Sequence, residues 1–158
     1  MILTVDIGNT ATTMGLYTPE GTLRFRGALK TDKNNTQDQL AIDLLDMFHL
    51  YQADIGEVTG GVISSVVPPM THAMAGAIRQ LSGVRPMIVG PGVKTGMNIL
   101  AEVHNQLGAD IVASSVAALQ KYPQPIIVID MGTATTLSYL GNNTYEGCVI
   151  IPGVRIAV

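Results

Sequence analysis

Two short stretches of this chain combine the residue types that bind phosphate and cations. Residues 6–13 read DIGNTATT and residues 130–136 read DMGTATT, so the two stretches almost coincide once one residue is removed from the first. In each, a glycine allows close backbone approach or a positive φ, and the following Thr and Asn residues add hydroxyl, amide and N–H donors for phosphate oxygens. The leading Asp suits a cation, directly or through water. A single copy also occurs in ordinary tight turns, but two copies indicate that a nucleotide is held by its phosphates from both sides.

Each stretch is expected at the turn between the first two strands of a three-stranded meander. Apolar and alternating patterns predict the first meander from ILTVDI, TTMGLYT and TLRFRGALK, and the second from QPIIVID, TTLSYL and TYEGCVII. A fold element that occurs twice with the same motif at the same turn indicates duplication of a domain.

Helices and further strands are expected between the meanders. Thr36 is typical of a helix N-cap, with Gln39 as its capping-box partner, and Pro68 is placed to begin a second helix. A third helix, rich in small residues, is predicted from Asp110 to about Lys121. GGVISSVV is expected to be a buried strand, and RPMIVG another short strand.

Composition and charge narrow the class of function. The chain has 158 residues, of which 47% are hydrophobic and 13% charged, so it can bury a core. The net charge is -3 and no basic run is present, which argues against a nucleic-acid partner. A single cysteine, Cys148, fits a reducing compartment. Because neither a secretory leader nor a long apolar stretch is visible, we expect a cytoplasmic protein without membrane contact.

The motifs resemble those of the type III pantothenate kinases, within the superfamily of actin, sugar kinases and Hsp70 ATPases. Residues 6–10 match the Asp-x-Gly-Asn-Thr opening of that family, and residues 130–136 resemble its second phosphate motif with Met131 in place of Phe. The family's Gly-Ala-Asp-Arg motif is similar to Gly108–Asp110. The resemblance implies an α/β protein with a duplicated ribonuclease-H-like, actin-like fold. Its first domain would cover residues 1–123, and an incomplete second domain residues 124–158.

This resemblance implies ATP-dependent phosphorylation of pantothenate to 4'-phosphopantothenate, the first step of coenzyme A biosynthesis, by a protein that is a homodimer at full length. Asp110 would be the general base that takes the proton of the pantothenate hydroxyl. Asp130 would bind a monovalent cation, K⁺ or NH₄⁺, and Asp6 the Mg²⁺ carried by ATP. The residues implied to contact ATP are Asp6, Gly8, Asn9, Thr10, Thr13, Gly132 and Thr133. Those implied to contact pantothenate are Gly108, Ala109, Asp110 and Ile111.

One departure from the family leaves alternatives open. Ile111 stands where the family has Arg, the natural partner of the pantothenate carboxylate. The alternatives are a non-catalytic nucleotide-binding paralogue with a regulatory role, and a kinase of another small alcohol. Read singly, Asp110 is typical of a helix N-cap, and Asp6 and Asp130 of strand ends that accept turn N–H groups. Because the chain stops soon after Pro152, we also expect an uncovered face on the second sheet.

Overall fold

The polypeptide forms two compact units, Met1–Val89 and Gly90–Val158. The computed structural model describes residues 1–90, 93–100 and 107–153. Of the helices in these ranges, none has the length and apolar character needed to cross a membrane.

A five-stranded sheet forms the centre of the first unit. Its elements are β1 (Ile2–Ile7), β2 (Ala11–Tyr17), β3 (Leu23–Lys30), α1 (Gln37–Leu50), β4 (Gly60–Ser65), α2 (Pro68–Ser82) and β5 (Met87–Ile88). The strand order is β3-β2-β1-β4-β5, in which β1 to β3 are antiparallel and β4 and β5 run parallel to β1. This is the mixed α/β arrangement expected of a ribonuclease-H-like domain.

The core of the first unit lies on one face of this sheet. Because strand side chains alternate between faces, Leu3, Val5 and Ile7 of β1 share one face. They belong to one apolar cluster with buried side chains of α1 and α2, among them Leu44 and Met74. The opposite face of β1 carries Thr4 and Asp6, so the alternation of this strand fixes which face the helices cover.

The two helices of the first unit begin as the sequence predicts. The Thr36 hydroxyl accepts the backbone N–H of Gln39 at 3.2 Å, which confirms the N-cap. At this cap the structure shows no reciprocal bond from the Thr36 N–H to the Gln39 side-chain oxygen, and the Nε2 of Gln39 donates to Asp43 at 2.9 Å. Pro68 opens α2, and Gly83 ends it in the left-handed conformation, at φ 76°.

The second unit repeats the meander. Its elements are β6 (Asn98–Ile99), α3 (Ala109–Lys121), β7 (Ile126–Met131), β8 (Ala134–Gly141) and β9 (Thr144–Pro152). The strands are ordered β6-β9-β8-β7, with β7, β8 and β9 antiparallel. The sequence predicted β7 to β9 and α3, but it did not predict the two-residue strand β6, whose pairing with β9 is a contact between distant parts of the chain.

Helix α3 lies in the second unit. The sequence predicts a domain boundary at 123/124, with this helix in the first domain, and that boundary stays a prediction. The compact units of the structure divide between Val89 and Gly90. The physical reason is that α3 packs on β7 and β8, where its Ile111 and Ala118 join a cluster with Leu140 of β8.

Candidate nucleotide and acceptor site

The first phosphate motif forms the turn between β1 and β2. The Gly8 N–H donates to the Ala11 carbonyl at 3.0 Å, which closes the turn, and Asp6 pairs with Thr13 across the two strands. Asp6, Asn9 and Thr10 have exposed side chains, whereas Thr13 is half-buried. The turn therefore presents a carboxylate, an amide and a hydroxyl to its surroundings within a few residues.

The second motif forms the equivalent turn between β7 and β8. The Gly132 N–H donates to the Ala134 carbonyl at 3.0 Å, and Asp130 pairs with Thr136. Asp130, Gly132 and Thr133 are exposed. This turn closes over one residue fewer than the first, which accounts for the one-residue difference between the two sequence motifs.

The glycines of these two turns do not adopt a left-handed backbone conformation. In the described residues the glycines with positive φ are Gly21, Gly83 and Gly96, so neither Gly8 nor Gly132 uses that freedom. A Cβ on Gly8 would lie 3.1 Å from the Ala11 carbonyl oxygen, which is tight. Gly8 is therefore favoured by a close contact within its own turn, the expected positive φ is not found, and close approach of these glycines to a ligand stays a prediction.

The residue that follows the third strand of each meander donates a backbone hydrogen bond to the turn of that meander. The Thr31 N–H donates to the Thr10 carbonyl at 3.0 Å, and the Gly153 N–H donates to the Thr133 carbonyl at 3.1 Å. Sequence analysis missed both residues. The available signal was the repeat itself, because the pairs Ala11–Lys30 and Ala134–Pro152 place Thr31 and Gly153 at matching positions.

The candidate acceptor residues lie at the start of α3. Gly108 is the N-cap, with extended backbone and no side-chain cap. Asp110 is half-buried in the first turn, where its Oδ1 accepts the N–H of Ile111 at 2.8 Å. The interpretation of Asp110 as an N-cap is therefore wrong, because that position belongs to Gly108. An acidic group in the first turn is also favoured by the helix dipole.

Ile111 faces the interior of the second unit. It is 8% exposed and belongs to the apolar cluster that contains Met97, Leu140 and Tyr145. A buried aliphatic side chain gains free energy there, whereas an unpaired guanidinium at the same place would lose its hydration. The role of Ile111 in binding substrate, inherited from the family motif, stays a prediction.

The chemistry of the two turns fits cations held jointly with a ligand. In the part of the chain that the structure describes, no three His, Cys, Asp or Glu side chains form a group that could hold a metal ion by themselves. Asp6 and Asp130 are single exposed carboxylates at the ends of strands. Mg²⁺ commonly binds one or two carboxylates together with substrate phosphates and water, so such a carboxylate beside a phosphate-binding turn is suitable.

The structure thus gathers the candidate residues into three local groups. The first turn holds Asp6, Gly8, Asn9, Thr10 and Thr13. The second turn holds Asp130, Gly132 and Thr133. The start of α3 holds Gly108, Ala109, Asp110 and Ile111. Each turn offers amides and hydroxyls suited to phosphate and one carboxylate suited to a cation, and the start of α3 offers one half-buried carboxylate suited to proton transfer.

Comparison with known proteins identifies the group of enzymes to which these features belong. A kinase of Listeria innocua named type III pantothenate kinase is 40% identical over 158 residues, which are 99% of this chain and 61% of that protein. One of Halalkalibacterium halodurans, with the same name, is 40% identical over 99% of this chain and 62% of its own length. The chain therefore spans less than two thirds of the length of these relatives.

Solved structures agree on the fold. The ethanolamine utilization protein EutJ of Carboxydothermus hydrogenoformans superposes with a TM-score of 0.53 at 12% identity, over 96% of this chain and 51% of that one. The family described as type III pantothenate kinase matches residues 2–158. By this match and by its close relatives, the chain belongs to the type III pantothenate kinase family.

Proposed function

We propose that the protein phosphorylates pantothenate with ATP to give 4'-phosphopantothenate, the first step of coenzyme A biosynthesis. The observation that carries the proposal is the repeated hairpin, in which each copy has a turn closed by a Gly N–H and an Asp near the end of the preceding strand, in a chain of this family. The family name of the relatives supports pantothenate as the acceptor over the two alternatives.

The two turns would contact the phosphates of ATP. Backbone N–H groups and hydroxyls bind phosphate oxygens without needing a charged side chain. In this proposal the contacting residues of the first turn are Asp6, Gly8, Asn9, Thr10 and Thr13, and those of the second are Gly132 and Thr133. Asn9 and Thr10 are exposed and can therefore reach a ligand without rearrangement of the core.

Cations would lie at the two aspartates. Asp6 would hold the Mg²⁺ that accompanies ATP, and Asp130 would hold K⁺ or NH₄⁺. When bound, these ions neutralise the charge that accumulates on the phosphate oxygens during phosphoryl transfer. Both carboxylates end a strand beside a turn, so the sheet fixes their position relative to the turn amides.

Asp110 would act as the general base. A primary alcohol attacks a phosphate poorly until its proton has an acceptor, and a carboxylate within hydrogen-bond reach supplies one. The N–H of Ile111 occupies Oδ1 of Asp110, so we assign the proton to Oδ2. Gly108, Ala109 and Ile111 would line the acceptor site beside this carboxylate.

The remaining expectations complete the proposal. The protein would act in the cytoplasm as a homodimer, without nucleic-acid or membrane partners. Since Ile111 offers no positive charge, the carboxylate of pantothenate would be bound by other groups of the full-length protein.

The test is ADP release by the natural full-length protein with ATP, Mg²⁺ and K⁺ or NH₄⁺, with and without pantothenate. We expect release only with pantothenate. Asp110→Asn keeps the shape of the side chain but removes the base, so it should lower kcat about 10²–10⁴-fold. ATP affinity should be unchanged.

Asp46→Asn is the matched control, because Asp46 is an exposed carboxylate on α1 outside the proposed site. It should retain wild-type kcat. If Asp110→Asn retains wild-type kcat, Asp110 is not the general base. ATP binding without any pantothenate-dependent release would overturn the assignment of the acceptor.

A further inference from the structure

Thr31, which directly follows β3, contacts the first turn twice. Its backbone N–H donates to the Thr10 carbonyl at 3.0 Å, and its hydroxyl donates to the Gly8 carbonyl at 2.7 Å. The same hydroxyl lies 3.0 Å from the hydroxyl of Thr12. Thr31 and Thr12 are 8% and 1% exposed, so these bonds form largely out of water.

The bond to the Gly8 carbonyl determines where a neighbouring amide points. In the described residues the cis peptide is Gln124–Pro125, so the bond between Gly8 and Asn9 is trans. In a trans peptide the C=O and the following N–H point in opposite directions. With the Gly8 carbonyl held inward by a buried hydroxyl, the N–H of Asn9 is turned away from Thr31.

A buried threonine pair could instead contribute to stability alone. The three contacts of Thr31 distinguish a role in stability alone from a role in positioning the turn, because only the bond from its hydroxyl is made to the Gly8 carbonyl. The pair with Thr12 is internal to the sheet, whereas the bond to Gly8 acts on the turn itself. At the matching position of the second unit stands Gly153, which carries no hydroxyl and donates its backbone N–H to Thr133.

We propose that Thr31 is a positioning residue that orients the Gly8–Asn9 peptide so that the Asn9 N–H donates to a phosphate of ATP. This inference rests on the proposed function for its ligand. It adds a residue outside the two family motifs, and it acts through the turn rather than by touching the nucleotide.

Four variants of the natural full-length protein test the proposal. Thr31→Val removes both side-chain bonds and keeps the shape. Thr31→Ser keeps both hydroxyl bonds. Thr12→Val removes only the bond between the two threonines and is the matched control. Thr31→Cys replaces the hydroxyl with a weak donor and takes the place of the Val variant if that variant does not fold.

Two readouts are needed. The first is the affinity for MgATP by calorimetry, together with KM for ATP and for pantothenate. We expect Thr31→Val to weaken ATP binding about fivefold, which corresponds to the net free energy of one hydrogen bond. The KM for pantothenate should be unchanged. Thr31→Ser should match the wild type, and Thr12→Val should stay within about twofold.

The second readout is amide exchange at Gly8 and Asn9 without nucleotide, measured by NMR. In Thr31→Val the amide hydrogen of Gly8 should exchange faster, because the turn that this N–H closes loses the hydrogen bond from the Thr31 hydroxyl. If Thr31→Val and Thr12→Val behave alike in both readouts, Thr31 has no positioning role and the inference is overturned. If the wild type does not bind ATP, the proposed function fails, and unchanged exchange in Thr31→Val would then overturn the inference independently.

Discussion

The first strands of the two meanders lead into corresponding turns, but helices cover opposite faces of these two strands. Aligning Asp6 with Asp130 places Leu3, Val5 and Ile7 of β1 opposite Ile127, Ile129 and Met131 of β7. The β1 side chains are 0%, 2% and 0% exposed, whereas the β7 side chains are 64%, 60% and 74% exposed. Helices α1 and α2 cover this face in the first unit, whereas α3 packs on the other face of β7, beside Ile126 and Val128.

The formation of each hairpin and the burial of its apolar face therefore have separate causes. Both hairpins pair their motif residues in the same register, and in each a Gly N–H closes the turn, although the apolar face of β7 is exposed. Turn and register follow from residues close in sequence, whereas burial follows from which helix arrives and on which side. Ile127 and its neighbours form an exposed apolar strip that Tyr139 and Val149 extend across β8 and β9.

The largest expected effect comes from truncating matched positions of this face. Leu3→Ala should lower the free energy of unfolding by about 2–5 kcal/mol, because it leaves a cavity in a closed core. Ile127→Ala, at the equivalent position of β7, should cost about 0.5 kcal/mol or less, since its side chain is already in water. Urea unfolding of the 158-residue chain measures both. Equal costs would show that the β7 face is covered in solution and would break the comparison.

The next effect concerns the residue that follows each meander. At Thr31 a side chain is accommodated and bonds to Gly8, whereas a Cβ at Gly153 would lie 2.5 Å from the Thr133 carbonyl oxygen and 2.8 Å from its carbon. Gly153→Ala should therefore displace the second turn and destabilise the second unit by about 1–3 kcal/mol.

Gly147 of β9 provides the matched control, because a Cβ there would have open space. Gly147→Ala should change stability by about 0.5 kcal/mol or less. Thermal unfolding measures the pair, and NMR shifts at Gly132 and Thr133 report the turn. Similar results for the two variants would refute the close backbone contact at Gly153.

The smallest expected effect is a loss of folding stability at alkaline pH, which we expect from the core of the second unit and not from that of the first. Burial raises the pKa of the Tyr145 hydroxyl to about 12, its contact with Cys148 adds to the rise, and its hydrogen bond with Ser138 opposes it. In the unfolded chain a tyrosine titrates near 10, so the unfolded state loses its proton first as the pH rises. The stability from the neutral hydroxyl is complete below pH 10 and falls by about 1 kcal/mol by pH 11.

Tyr145→Phe should remove this loss. Denaturant unfolding of the wild type and the variant between pH 9 and pH 11 measures it. The apolar cluster of the first unit has no tyrosine among its fully buried members, so the alkaline loss should come from the second unit. If the variant loses stability between pH 9 and pH 11 as the wild type does, the loss belongs to other groups.

The local features of this protein could be predicted from its amino-acid sequence. The apolar runs and the Gly turns predicted both meanders, Thr36 predicted the cap of α1, and Pro68 predicted the start of α2, because each depends on residues within one or two turns of chain. The repeat of the two phosphate motifs was also visible, and with it the family.

Contacts between residues far apart in the chain could be seen only in the tertiary structure. The hydroxyl of Thr31 reaches Gly8 from 23 positions away, and the side chain of Ile111 turns into a core shared with Tyr145. The assignment of α3 to the second unit is of the same kind. Strand alternation and turn residues are encoded within a few neighbours, but the choice of which helix covers which face depends on packing between segments that no local pattern brings together.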